Sequence, residues 1–134
     1  MIDTFVFAAG ATQLGIALAS LLLPRILGWR EQTARLEPLT RHVFWTYAVY
    51  IFCTNLFFAG VSMLRPEMLT DGTLLARTFC GFVTAYWGGR VLIQLFAYRQ
   101  AKPKGWFFVL ADIGFLLAFV FLTAVYAAAM LREV

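Results

Sequence analysis

Residues 106–131 read WFFVLADIGFLLAFVFLTAVYAAAML, an apolar run with one charged side chain, Asp112. A helix needs about 20 apolar residues to cross the ~30 Å hydrocarbon layer of a bilayer, so this run is long enough to span it. Three further apolar runs precede it, at about 5–23, 43–64 and 74–98. Because lipid cannot bond to open backbone groups, each run should be helical. The pattern predicts an all-α integral membrane protein, a four-helix bundle that runs up-down-up-down.

The composition of the whole chain agrees with lipid as the main solvent of its surface. Of the 134 residues, 62% are hydrophobic and 13% are charged, and the mean hydropathy is +0.79. A soluble domain is nearer half apolar and a quarter charged, and a globule of this size has too much surface to hide the excess. We therefore expect a single transmembrane domain over residues 1–134. Its expected surroundings are a lipid bilayer, and we expect no nucleic acid as a partner.

The connections between the runs carry the residues that end helices. Pro24 closes the first run, Pro66 closes the second, and Pro103 with Gly105 separates the third from the fourth. Short connections predict that consecutive helices pack as antiparallel neighbours. The longest connection includes residues 25–37, where apolar and charged residues mix. Either an amphipathic helix in the headgroup region or an irregular polar loop fits this stretch.

Lysine and arginine are distributed unevenly between the two sides of the predicted bundle. The loops on the cytoplasmic side of a membrane protein carry an excess of lysine and arginine, so this distribution predicts the orientation of the bundle. The side with the first and third loops has Arg25, Arg30, Arg35, Arg41, Arg99, Lys102 and Lys104, and the other side has Arg65, Arg77 and Arg132. This distribution places both termini on the non-cytoplasmic side. It predicts a multi-pass protein of the inner (cytoplasmic) or plasma membrane.

Two ionisable residues lie within the predicted spans, Arg90 in the third and Asp112 in the fourth. Each should lie ~10–12 Å below the same membrane boundary, since an α-helix rises 1.5 Å per residue. A charge in hydrocarbon is costly, and an opposite charge at the same depth lowers that cost. We therefore predict an Arg90–Asp112 ion pair. The pair could fix the packing of two helices, or it could form an anion-binding or proton-relay centre.

Further polar residues are expected on the inner face of the bundle. Tyr86 and Gln94 lie one helical turn on either side of Arg90, so the three form a polar stripe. Gln13 and Asn55 are amides near the centres of the first and second spans, and an amide in lipid should turn inward. We expect packing rather than ligand binding from these two amides. The candidate ligand-binding residues are nevertheless these two amides together with the ion pair and the polar stripe: Arg90, Asp112, Tyr86, Gln94, Asn55 and Gln13.

Small residues recur every fourth position on two of the predicted helices. This spacing allows the backbone of another helix to approach closely. The stripes are Ala11, Gly15 and Ala19 in the first span and Gly81, Ala85 and Gly89 in the third.

Several classes of chemistry lack the residues that they need. His42 is the only histidine, so neither a His-rich metal cluster nor bis-histidine haem ligation is expected. Cys53 and Cys80 should differ in depth by about 10 Å, too far apart for a disulfide. The motifs of common hydrolases, nucleotide-binding proteins and metalloproteases are missing. We therefore predict no catalytic residue, no metal and no cofactor. The alternative is a membrane enzyme that uses acid–base chemistry at Asp112, Tyr86 and His42.

Two functions remain in the foreground. The first is a non-catalytic accessory or assembly protein that packs its helices against another membrane protein or against copies of itself. The alternative is binding or transport of a small anionic or amphipathic molecule, such as a lipid, quinone or isoprenoid, at Arg90 and Asp112. Transport by four short helices would require a homo-oligomer.

Overall fold

The computed structural model describes residues 2–97 and 105–131, and all regular structure within these ranges is helical. The elements, in chain order, are α1 (Ile2–Ser20), α2 (Leu23–Ile26), α3 (Trp29–Thr33), α4 (Pro38–Leu64), α5 (Glu67–Thr70), α6 (Leu74–Leu92), a π-helical turn (Ile93–Ala97) and α7 (Trp106–Met130). The prediction of an all-α chain is confirmed for the described residues.

Three helical segments are long and apolar enough to cross a membrane: Ile2–Ile26, Pro38–Leu64 and Trp106–Met130. They correspond to the first, second and fourth predicted spans. The third predicted span, 74–98, coincides with α6 and the π-helical turn, up to its last residue, which lies outside the described residues. Arg77 and Arg90 lower the hydropathy of α6, which is not among the three segments. The fourth crossing therefore stays a prediction.

The connection between α1 and α4 is broken into two short helices. Pro24 occupies the first turn of α2, and Gly28 separates α2 from α3 with φ +66 and ψ +40. A residue with a side chain adopts this left-handed conformation at a cost, so glycine suits the break. The amphipathic helix considered for residues 25–37 therefore does not form as one continuous helix.

The predicted orientation rests in part on four basic residues that lie outside the described residues: Arg99, Lys102, Lys104 and Arg132.

The long helices pack as antiparallel pairs, α1 with α4 and α6 with α7, and α1 also contacts α7. In the second pair, Arg77 near the start of α6 donates from Nε to the carbonyl of Met130 at the end of α7, at 3.1 Å. In the first pair, a β-carbon on Gly10 would lie 2.8 Å from the side chains of Ser62 and Met63. Glycine at position 10 therefore sets how closely α1 approaches α4.

Aromatic side chains join α4 to α6. The ring of Phe58 lies edge-on to Phe79, Phe82 and Tyr86, with centroid separations of 5.7, 6.1 and 5.4 Å. Edge-to-face pairs of this kind are favourable beyond the area that they bury. They continue inward, where Trp87 stacks on Phe119 of α7 at 5.3 Å.

The outward faces of the helices are apolar. Only 28%, 22% and 17% of the most apolar windows of the three membrane-spanning segments are buried within the chain. Large side chains such as Leu117 and Phe57 are more than half exposed. A soluble monomer rarely shows continuous apolar surface on this scale. The exposed faces therefore agree with lipid as the solvent of the three spans.

Candidate functional site

Four polar side chains meet in the interior, one from each long helix. They are Gln13 of α1, Ser62 of α4, Trp87 of α6 and Tyr126 of α7, and we call them the central polar cluster. Each is at most 2% exposed. A buried polar group is costly unless it is hydrogen-bonded, so the bonds inside the cluster decide whether it stabilises the fold.

The bonds of the central polar cluster form a directed chain. The indole Nε1 of Trp87 donates to Oε1 of Gln13 at 3.1 Å. An indole can only donate, so the amide oxygen of Gln13 must face it and the amide nitrogen must face away. That nitrogen donates to the hydroxyl of Tyr126, and the same hydroxyl is hydrogen-bonded to Oγ of Ser62. Because Tyr126 accepts from Gln13, its own proton is available to Ser62.

Asn55 and Tyr86 form a second polar contact, between α4 and α6. The hydroxyl of Tyr86 donates to Oδ1 of Asn55 at 2.9 Å. Asn55 is 6% exposed, and the ring of Tyr86 lies 5.4 Å from Phe58, one turn farther along α4. Both mid-span amides turn inward as the sequence predicts, but they bond to different helices. Gln13 reaches α6 and α7, whereas Asn55 reaches α6 alone.

The remaining candidate residues lie between α6 and α7. Nε2 of Gln94 donates to Oδ1 of Asp112. The guanidinium of Arg90 lies over the ring of Phe119, 5.2 Å from its centroid. A cation in this position is attracted by the negative face of the ring. The Gln94–Asp112 bond joins α7 to the π-helical turn that follows α6, one turn beyond Arg90. The Arg90–Asp112 ion pair itself stays a prediction.

The six candidate residues thus fall into three groups rather than one site. The groups are Gln13 with the central polar cluster, Asn55 with Tyr86, and Arg90 with Gln94 and Asp112. An aromatic stack runs between the first and the third, since Trp87 packs on Phe119 and Phe119 packs under Arg90.

Sequence reasoning did not identify Trp87, Tyr126 or Ser62 as members of the inner polar site. A signal was present, because the N–H of a tryptophan and the O–H of a tyrosine need a partner when they are buried. Trp87 lies inside α6 and Tyr126 lies one turn before the end of α7, and both are buried. This requirement marks Trp87 and Tyr126 as candidates for the polar interior, but it does not give their partners.

The central polar cluster has a structural role. Its donors and acceptors are engaged with one another, and its members have almost no exposed surface. Within residues 2–97 and 105–131, no three histidine, cysteine, aspartate or glutamate side chains are grouped so that they could hold a metal ion. Comparison with known proteins finds no matching family model, no matching curated protein and no matching solved structure.

Proposed function

We propose that this chain is a non-catalytic accessory or assembly protein of a membrane, one that packs its helices against another membrane protein or against copies of itself. The observation that carries the proposal is the closed state of the central polar cluster. The side chains of this cluster form hydrogen bonds with one another, and these bonds hold the four long helices together. The surface available for recognition is then the outer faces of the helices.

Those faces include places where another backbone could approach closely. At Gly15 of α1 and Gly89 of α6, no heavy atom of another described element lies within 4 Å of the point where a β-carbon would sit. Ala11 and Ala85, one turn before each glycine, are exposed. Small residues at this spacing are common where helices associate in lipid, since association there depends on close packing. The proposed docking faces are the open parts of the two stripes, around Gly15 on α1 and around Gly89 on α6. Gly81, at the start of the second stripe, is not part of them, because a β-carbon there would lie 3.0 Å from the sulfur of Met130 in α7.

The proposed topology is a four-helix bundle that runs up-down-up-down, with α6 as the additional crossing and both termini on the non-cytoplasmic side. The antiparallel contacts of α6 with α7 support it, because a helix paired along its length with a spanning helix lies at the same depths. Cysteine labelling tests the topology. In a chain with Cys53 and Cys80 replaced by serine, a membrane-impermeant maleimide added to intact cells should label Asp71→Cys and leave Gln32→Cys unlabelled. Labelling of Gln32→Cys alone would show that the chain has the opposite orientation to the one proposed.

The assembly role is tested by bulky substitutions on the docking faces. Gly89→Trp should shift the protein from a larger complex to a smaller species when native membranes are dissolved in a mild detergent, because the indole would occupy the open space. Ile51→Trp is the control, since Ile51 is 53% exposed on α4 and belongs to neither stripe. The proposal fails if the unaltered protein migrates as a monomer and photocrosslinkers at positions 15 and 89 capture nothing.

A second candidate is binding of a small anionic or amphipathic molecule, such as a lipid, quinone or isoprenoid, beside Arg90 and Asp112. The observation in its favour is that both side chains are only half-buried, unlike the central polar cluster. Arg90→Met should then reduce the amphiphile that copurifies with the protein. Arg65→Met, at an exposed surface position, should not. Equal amphiphile content in the two variants would remove this candidate.

A further inference from the structure

Two grooves meet at Trp45, where the connection between α1 and α4 folds back onto α4. The first has a volume of about 600 Å³ and is lined by Pro24, Arg25, Gly28, Arg30, Glu31 and Trp45. We call it the arginine groove. The second has a volume of about 320 Å³ and is lined by His42, Trp45, Thr46, Val49 and Tyr50 of α4. We call it the helix groove.

The wall between the two grooves is held in place by aromatic packing. The ring of Trp29 lies edge-on to Phe44 at 5.1 Å and to Trp45 at 6.2 Å. The indole Nε1 of Trp45 donates to Oγ1 of Thr33 at 3.2 Å, and this bond ties α3 to α4. Gly28 supplies the left-handed turn that lets α3 fold back to make these contacts. These contacts fix the ring of Trp45, which lines both grooves, before any ligand arrives, and a fixed contact surface lowers the entropic cost of binding.

The arginine groove has the charge of a phosphate site. It is lined by two guanidinium groups, from Arg25 and Arg30, and by one carboxylate, from Glu31. Within the part of the chain that the structure describes, neither arginine side chain makes a hydrogen bond or an ion pair. A guanidinium presents several donors in a fixed plane and binds a phosphate through two of them at once.

The surroundings of the arginine groove are those of a bilayer surface. The apolar segment Ile2–Ile26 ends among its lining residues. Tryptophan and tyrosine favour the headgroup region, and both occur here, as Trp29, Trp45 and Tyr50. The helix groove continues from Trp45 along α4, where Val49 lies one turn farther from the helix start and most of the lining is carbon. A ligand that fills both grooves would need a charged end and an apolar end.

We propose that the two grooves bind one acidic glycerophospholipid, with its phosphate between Arg25 and Arg30 and an acyl chain along Val49 and Tyr50. This site is separate from the docking faces on α1 and α6, and the proposal does not depend on the assembly role. Inorganic phosphate would satisfy the arginine groove alone. The apolar helix groove is the reason for choosing a lipid.

The charge arm of the test uses purified protein in a neutral detergent, with lipid binding measured by native mass spectrometry. Phosphatidylglycerol should bind more tightly than phosphatidylcholine with the same acyl chains. Arg25→Gln with Arg30→Gln should weaken phosphatidylglycerol binding about 25-fold, at roughly fivefold for each arginine. Arg35→Gln with Arg65→Gln removes the same charge outside the groove and should change the affinity less than about twofold. Equal losses in the two double variants would overturn the proposal.

The acyl-chain arm separates a lipid from a free phosphate. Val49→Trp should fill the helix groove and weaken phosphatidylglycerol binding, whereas Ile51→Trp, two residues on and equally exposed, should not. All substituted side chains are exposed, and an unchanged melting temperature without lipid checks that each variant folds. If Val49→Trp has no effect, or if inorganic phosphate raises the melting temperature as much as the lipid does, the lipid proposal is wrong.

Discussion

Replacing Gln13 with leucine should destabilise the protein more than any other single polar-to-apolar change in α1. The substitution removes one bond from Trp87 and one bond to Tyr126, and it leaves the indole N–H of Trp87 buried without an acceptor. Two interhelical bonds in lipid are worth about 1.2 kcal/mol at the average value, which sets a lower limit. An unsatisfied buried donor costs up to about 3 kcal/mol, which sets an upper limit. We expect the free energy of unfolding to fall by an amount between these limits.

The control for Gln13→Leu is the neighbouring substitution Thr12→Val. The hydroxyl of Thr12 bonds only to the carbonyl of Ala8 in its own helix, at 2.9 Å. Its loss breaks no contact between helices, so the cost should stay within about 0.5 kcal/mol. Reversible unfolding in mixed micelles with increasing dodecyl sulfate, followed by circular dichroism, gives both free energies. Equal costs of the two substitutions would mean that the interhelical bonds of Gln13 add nothing to stability.

A double-mutant cycle with Trp87→Phe tests whether the cost comes from the bond itself. Trp87→Phe keeps a ring against Phe119 and removes the donor, so Oε1 of Gln13 loses its partner. In the double variant neither group is left unsatisfied, and the two effects should overlap by about 0.6 to 1.7 kcal/mol. Strictly additive costs would mean that the Trp87–Gln13 bond contributes nothing to stability.

Two further predictions concern local features of the fold. Gly10→Ala should lower the free energy of unfolding by about 1–3 kcal/mol through overpacking, because the new β-carbon would also lie 3.1 Å from the rigid carbonyl of Ala59. Gly15→Ala is the control, since it adds a β-carbon to open space, and it should be neutral or slightly stabilising in the same unfolding assay. Equal effects of the two alanines would exclude close packing at position 10. Asp71 accepts hydrogen bonds from the backbone N–H of Thr73 and from its hydroxyl, and these bonds, the backbone one first, hold the pKa of the Asp71 carboxyl below its ordinary 3.8. The ionised carboxylate therefore stabilises the fold above pH 3.8, and this stabilisation is lost as the pH falls through the lowered pKa. Thr73→Ala should raise the pKa of Asp71 only part of the way, because the backbone donor remains, and an unchanged pKa in an NMR titration of the carboxyl carbon would contradict this.

Three of the four apolar runs correspond to helical segments that are long and apolar enough to cross a membrane, because hydrophobicity acts on each helix separately. The ends of helices were less predictable. The second apolar run begins at Val43, but α4 begins at Pro38. Proline has no N–H to lose in the first turn, and polar residues such as Thr40 remain helical once the chain has left the hydrocarbon. Composition marks where lipid begins, and the helix continues beyond it.

The partners of the inner polar residues could not be predicted from the sequence because they depend on how each helix is rotated about its axis. The predicted depth of Gln13 would allow it to bond with any polar group near the middle of the membrane, and by this criterion Asn55 is as good a partner as Trp87 or Tyr126. The close approach of α1 to α4 at Gly10 and the contact of α1 with α7 orient Gln13 toward Trp87 and Tyr126 instead. The connection at residues 25–37 was open for a similar reason, since a single glycine at position 28 decides whether two helical turns join.

A closed interior also determines how loss of function should be interpreted in this protein. Helices in lipid have little hydrophobic force to hold them together, so packing and a few interhelical bonds must do so. Gln13 takes part in bonds that reach two other helices, and a variant at this position would weaken every outer face at once without contacting any ligand. Variants at Gly89 or Arg30 leave the central polar cluster untouched and should impair one face each. A defect shared by Gln13→Leu and one surface variant, but not by the other, would therefore identify the face on which the function depends.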